Sequence, residues 1–538
     1  MAMMHRSAFD VYEQNVIRKK IHSNTIRLAL IYPNHYHVGM ASLAIKLLYY
    51  LFNIRKDVYC ERVFLPYQEK IVPRSIETNT PLNHFDVLAA SFSFELDYIN
   101  FVKLLANSGI PLDVQERKKL SHAPIILAGG PAVSANPEPL SSFIDGFLIG
   151  EIEVILPELL ETLTLSRDKL REEFAQIPGI YIPSLKDESS ISGSIHKVLV
   201  QNLDQAPFPK MQIEANFQKS SKIQVPLPGY HLEISRGCRH ACKFCLIGHT
   251  CRPMRSRSLE KLQDLSLEGI KASITPHISM IGSSTSEHPD LEKFLVFLNK
   301  NNISFSLPSL RLDANDEIIR QARLSGQNQL TVALETIDEP LRQAIAKNIS
   351  DDDLYNFWQK TLHFGFESLK LYIVLGLPTQ DIDKEIEGIK QVLERLKSQT
   401  NTKKFINLSV TPFIPKAHTP FQWYIPNYEA VKEGTSKLQK TLKSRQVTVS
   451  PPRWAPIQAL LSMGNAELGS ILKKVAMMGG TFKAWKEILG NPIHYYTKLH
   501  QRIIDNPLPW EHIYLGMQQR QLKENFERFL RRRSSTLA

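Results

Sequence analysis

Two long stretches of the chain alternate short apolar, β-branched runs with longer runs whose apolar residues recur at helical spacing. In the first, TIRLALIYP (25–33), FDVLAASFS (85–93), PIILAGG (124–130) and IDGFLIG (144–150) are strand-like, whereas MASLAIKLLYYLF (40–52) and EVILPELLETL (153–163) are helix-like. Continuous apolar strands separated by helices predict a parallel sheet covered on both faces. Residues 1–165 are therefore expected to form a Rossmann-like, doubly wound α/β domain, with ligands at the carboxyl ends of its strands.

The alternation resumes at 230 with HLEIS (231–235), HISMIG (277–282), ISFSL (303–307), LTVAL (330–334), LKLYIVLG (369–376) and FINLSVTPF (405–413). Helical runs such as LEKFLVFLNK and KEIEGIKQVLERLK lie between them. These six units predict a (β/α)6 partial barrel over 230–430, its site at the C-terminal strand ends. Residues 166–229 are irregular and turn Pro-rich (QAPFPK, VPLPG), as a linker with a few strands would be. Residues 431–538 are mostly helical in pattern and are expected to form a third unit.

The chain has 538 residues, 43% hydrophobic and 22% charged, enough for several domains. Its N-terminus lacks the apolar core of a secretory signal, and no run of 18 apolar residues occurs. Neither a signal peptide nor a membrane span is expected, and the cytoplasm is the expected location. The net charge of +11 and pI near 9.2 admit a nucleic-acid or acidic partner. The basic residues are nevertheless spread out, apart from RRR at 531–533, which suits a Lys-rich solvated surface.

Cysteine changes the picture. Four of the five cysteines fall in EISRGCRHACKFCLIGHTCRPMRSRS (233–258): Cys238, Cys242, Cys245 and Cys251. So few cysteines in so long a chain argue against a disulfide framework. A closed zinc site commonly uses paired C-x2-C knuckles. Only one C-x2-C is present, although Cys251, His240 or His249 could complete a set. Three close thiolates could instead hold three irons of a cubane cluster and leave the fourth iron open, as catalysis requires.

The spacing Cys238-x3-Cys242-x-Phe244-Cys245, directly after the first strand of a β/α barrel, resembles the radical SAM superfamily. The resemblance implies that Cys238, Cys242 and Cys245 ligate a [4Fe-4S] cluster whose open iron binds S-adenosylmethionine. Reductive cleavage there would give a 5′-deoxyadenosyl radical, with an electron donor such as ferredoxin or flavodoxin. Cys251 lies outside the motif. The resemblance also implies S-adenosylmethionine contacts from Phe244, from Ser283 and Ser284 after the second strand, and from Ser309 and Arg311 after the third. Glu335 at the end of the fourth strand and Gly376 after the fifth complete that expected set. Arg252 and Arg255 are candidates to face the cluster's charge, and Lys416 and His418 to face substrate.

A Rossmann-like domain before such a barrel resembles the cobalamin-dependent branch of that superfamily. The cobalt-ligating motif D-x-H-x-x-G is here Asn34-x-Tyr36-x-x-Gly39, so both the Asp and the His are replaced, and His35 and His37 are out of register. Gly39 keeps the motif's glycine, and Gly129 and Gly130 match a glycine pair beside a nucleotide tail. Cobalamin, and with it methylation of an unactivated carbon, stays open. The alternatives are radical cyclisation, coupling or rearrangement without cobalamin, and a non-catalytic zinc or nucleic-acid binding protein. A tRNA methylthiotransferase would need a second three-cysteine cluster, and the first domain holds only Cys60.

Overall fold

The computed structural model describes residues 5–6, 11–69, 71–165, 167–185, 194–215, 227–399, 405–442 and 446–537. The first sheet has six strands: β1 (Ile26–Tyr32), β2 (Val58–Phe64), β3 (Val87–Ser91), β4 (Ile125–Gly129), β5 (Gly146–Leu148) and β6 (Ile180–Tyr181). Their order is β2-β1-β3-β4-β5-β6, parallel except for β6. The order reverses between β1 and β3, the switch point at which open α/β sheets bind ligands. Strand β2 is buried at every position, Glu61 and Arg62 included. Arg62 tolerates this because Glu13 and Glu77 pair with it at 2.8 and 2.7 Å, as buried charge demands.

Strand β6 lies in the stretch 166–229, expected to be a linker with a few strands, and extends the first sheet by pairing antiparallel with β5. With two residues it is too short to show a period.

The second unit runs through β7 (Tyr230–Glu233), β8 (His277–Ile281), β9 (Ser304–Ser306), β10 (Gln329–Glu335), β11 (Ser368–Leu375), β12 (Phe405–Pro412) and β13 (Val447–Val449). The sheets β7-β8-β9 and β10-β11-β12-β13 are parallel and joined by a bridge between Leu310 and Val332. The six expected strands are all present. The seventh, β13, is three residues long and lies in the segment expected to be helical.

Helices α1 (Leu43–Ile54) and α2 (Asp97–Asn107) flank the first sheet, and the short α3 (Leu246–Thr250) follows β7. The C-terminal region contributes α4 (Ala455–Met463), α5 (Leu468–Met477) and α6 (Gln519–Leu537). Helix α5 packs on α2: Leu472 and Val475 share one core with Phe101 and Leu105. The other face of the sheet shares a core with the barrel. Among the described residues no helix is long and apolar enough to cross a membrane.

Candidate active site

Beyond β7 the chain passes through Ser235–Arg236, which pairs antiparallel with Arg255–Ser256. This pairing staples the neck of the cysteine loop. Inside it, Gly237 has φ +82°, and a Cβ there would lie 2.1 Å from the Cys251 carbonyl oxygen, so only glycine fits. Cys245 is the N-cap residue of α3. The Lys243 amide donates to Ile345 O at 3.0 Å, and the Cys242 thiol lies 3.6 Å from Ala346 O. The loop is thereby docked against the segment that follows β10.

All five cysteines are free. Burial pushes the Cys242 thiol up to about 11, against the opposing charge of Lys347, with Cys245 and Cys238 raising it further. Burial likewise raises Cys245, which also feels Cys238. The three thiols are close enough to act on one another. Cys251 is raised by burial too, but its electrostatic neighbours are Lys197, Glu151 and Arg255. Cys251, unlike the other three, lines a cavity between the first sheet and the cysteine loop. Among the described residues no three His, Cys, Asp or Glu side chains converge on one ion position. A cubane does not require this, because each thiolate binds a different iron.

Glu335 ends β10 at a register shift between Ala333 and Glu335 and has φ +73°, a conformation that costs a non-glycine residue energy and often marks a site. Its carboxylate receives Lys347 at 3.0 Å and acts on Cys242 and Cys245. Ser284 donates to Glu287 at 3.0 Å. The same carboxylate pairs with His240, tying the loop after β8 to the cysteine loop. Phe244 packs beside Leu341, Ile345, Phe421 and Phe529.

Other expected residues fall elsewhere. Ser309 is exposed; Arg311 pairs with Asp313 at 3.4 Å, and its amide donates to the Ser286 hydroxyl at 3.4 Å on the segment that carries Ser284. Gly376 has φ +95°, and a Cβ there would meet Val431 at 2.7 Å, so backbone and packing both call for glycine. Gly39 is likewise fixed by Phe64, 2.2 Å from where its Cβ would be. Arg255 pairs with Glu151 at 2.8 Å, and Arg252 donates to Arg239 O at 2.9 Å. His418 is buried, which drives its pKa down to about 3. Lys416 pairs with Glu95, which also accepts from Gln458 at 2.9 Å.

A cavity of about 520 Å³ lies between the first sheet and the cysteine loop. Leu28, Leu30, Leu47, Leu127 and Leu148 give it an apolar interior, Gly129 and Gly130 line the strand-end side, and Gly237, Cys251 and Ser283 close it. In Gly130 the φ of +109° and Phe92 O, 2.4 Å from where a Cβ would be, require glycine; Gly129 makes only ordinary contacts. At the edge Arg236 meets Glu151, Glu153 and Glu233 at 2.9–3.0 Å. These pairs clamp the first domain to the loop's neck. Tyr36, at the motif's His position, is buried and donates to Glu13 at 2.6 Å, while His35 and His37 stack with Tyr67. Sequence reading did not find Glu151, Glu287, Lys347 or Asp97. Asp97 accepts from Asn34 at 2.8 Å, and burial raises its carboxyl to about 7.

Known proteins share this fold. Residues 44–183 match the family described as radical SAM proteins, N-terminal, and residues 232–412 match the radical SAM superfamily. The chain belongs to the radical SAM superfamily and is an enzyme of that class. An uncharacterized protein of Methanocaldococcus jannaschii is 27% identical over 449 residues, covering 83% of this chain and 90% of that one. Among solved structures, the radical S-adenosylmethionine methyltransferase TsrM from Kitasatospora setae, with cobalamin and a [4Fe-4S] cluster bound, shares the fold. Its TM-score is 0.54 and its identity 11%, over 88% of this chain and 99% of that one. The cobalamin-dependent radical enzyme OxsB, with aqua-cobalamin and S-adenosylmethionine bound, has TM-score 0.50 and 13% identity, over 94% of this chain and 84% of that one.

Proposed function

We propose that Cys238, Cys242 and Cys245 hold a [4Fe-4S] cluster, that S-adenosylmethionine binds at its open iron, and that cobalamin occupies the cavity behind the loop. The observation that carries this reading is that Cys238, Cys242 and Cys245 act electrostatically on one another, whereas Cys251 lines the cavity and answers to Lys197, Glu151 and Arg255. Three soft thiolates on one stapled loop suit iron–sulfur ligation. A cluster held there would supply the electron for cleavage of S-adenosylmethionine to methionine and a 5′-deoxyadenosyl radical, which would take hydrogen from an unactivated carbon of the substrate.

The chain's residues do the positioning. Gly237 lets the loop turn, and Glu287 joins it to the strand-end segment that carries Ser283 and Ser284. Glu335 and Lys347 offer a paired carboxylate and ammonium for the amino and carboxylate groups of the methionine moiety. The cavity's volume is ordinary for a cofactor site, and its apolar walls with the Gly129–Gly130 pair suit the nucleotide tail of cobalamin. The Tyr36 position does not suit a protein-ligated cobalt. With cobalamin bound, methyl transfer to the activated carbon is the expected outcome. With substrate in the cavity instead, cyclisation, coupling or rearrangement would follow.

Protein purified without oxygen and reconstituted with iron, sulfide and hydroxocobalamin tests the reading. It should be brown, with about four irons in excess of zinc and retained cobalamin. A colourless zinc protein contradicts the cluster assignment, and a brown protein free of cobalamin selects the second outcome.

A further inference from the structure

Helix α6 carries the chain's densest run of basic residues. Of the fifteen residues Gln519–Arg533, six are Arg or Lys and two are Glu. The helix lies on the cysteine loop: Phe526 and Phe529 belong to the apolar cluster that includes Phe244, the residue before Cys245. Its inward positions include Leu522, Phe529 and Arg533, the last held by Asp338 at 3.0 Å. Lys523, Arg528, Arg531 and Arg532 point outward and are exposed. Glu524 is neutralised by Arg520 at 2.9 Å, which leaves Glu527 as the other acid of the run. Arg528 and Arg532, one turn apart, both act on the ammonium of Lys243, which sits between Cys242 and Phe244. A concentrated positive surface therefore lies directly over the loop that carries the thiols.

We propose that this face of α6, with Lys243, is the docking surface for an acidic one-electron carrier protein that reduces the cluster. The inference rests on the reading of Cys238, Cys242 and Cys245 as cluster ligands. One electron passes from the reduced carrier to the cluster; the carrier is left one electron more oxidised, and that electron then breaks the sulfur–C5′ bond. Electron transfer weakens steeply with distance, so the carrier must approach the loop itself, and clustered positive charge raises the encounter rate of an acidic partner. A nucleic-acid backbone would meet the same charges, but it has no reason to seek the ligand loop.

The test measures 5′-deoxyadenosine formed by the full-length, reconstituted enzyme, driven either by reduced flavodoxin or by dithionite. The variants are Arg528→Glu/Arg532→Glu, Lys523→Glu, and a control pair on α5, Lys473→Glu/Lys474→Glu. The arginine reversal should raise the flavodoxin concentration for half-maximal rate about tenfold and flatten its salt dependence. Its dithionite-driven rate should be unchanged, Lys523→Glu should act in the same direction more weakly, and the α5 pair should resemble wild type. Equal flavodoxin-driven rates in wild type and the arginine reversal would overturn the proposal. So would a loss confined to RNA binding, or a dithionite-driven rate that falls equally, which would place the arginines in the fold. A wild-type enzyme inactive even with dithionite would remove the cluster reading, and this inference with it.

Discussion

The Lys347 ammonium lies 3.0 Å from a Glu335 carboxylate oxygen, and both side chains act electrostatically on Cys242. The pair therefore stands beside the loop that would hold the cluster, with Glu335 fixed there by its left-handed backbone and the register shift in β10. Glu335→Gln keeps the shape and removes the charge. It should raise the KM for S-adenosylmethionine at least about tenfold, a loss of roughly 1.4 kcal/mol of binding, in a titration of 5′-deoxyadenosine formation. It should also cost about 1–3 kcal/mol of stability, because Lys347 loses its partner. Glu335→Gln/Lys347→Met should recover stability by denaturant titration without recovering affinity. Recovery of both would assign the pair a structural role.

Glu151 joins the two domains at the neck of the cysteine loop. Burial alone would raise its carboxyl, but the Arg255 hydrogen bond and the Arg236 charge together hold it below the usual range. Its contribution to stability is present above the unfolded value, about 4.3, and is lost as pH falls through the lower folded value. Glu151→Ala should cost about 3 kcal/mol at pH 7 by leaving Arg236 and Arg255 short of a partner. Thermal unfolding at pH 7 checks this; an unchanged midpoint would remove the clamp from the account.

Asp97 behaves in the opposite sense. Burial raises its carboxyl to about 7, against the Asn34 hydrogen bond and with the Glu95 charge adding to the rise. The unfolded value is about 3.9. Between these values the folded chain holds a proton that the unfolded chain has lost, so this group's contribution to stability declines as pH rises from about 4 to 7. Asp97→Asn should remove that decline and raise stability at pH 8 by about 2 kcal/mol. Unfolding curves at pH 5 and pH 8 for both proteins read the difference directly.

The cavity can be closed from α1. Ala44 lines it, and Ala44→Trp would fill much of the space beside Leu30 and Leu127. Cobalamin retained after gel filtration should fall at least tenfold, while iron content stays at the wild-type level. Equal retention would place cobalamin elsewhere.

The cysteine motif was legible because it is local: three cysteines within eight residues after an apolar strand. The six barrel strands were legible for the same reason, each lying in an apolar run that alternates with a helical one. Strands β6 and β13 were not, since IY and VTV stand outside that alternation. Glu151 and Arg236 stand 85 positions apart in sequence, and nothing near either announces the other. Gly39 and Gly376 have packing neighbours, Phe64 and Val431, that no local sequence signal announces. Arg311 is held both by Asp313, two residues away, and by Ser286 on the preceding strand-end segment.

The central claim is that three cysteines, and not the fourth, hold a cluster that cleaves S-adenosylmethionine. The most direct measurement is 5′-deoxyadenosine formed with dithionite by wild type, Cys242→Ala and Cys251→Ala after identical anaerobic reconstitution. The account predicts that Cys242→Ala falls to background and Cys251→Ala stays within about twofold of wild type. Product from Cys242→Ala, or its loss in Cys251→Ala with iron content intact, would contradict it.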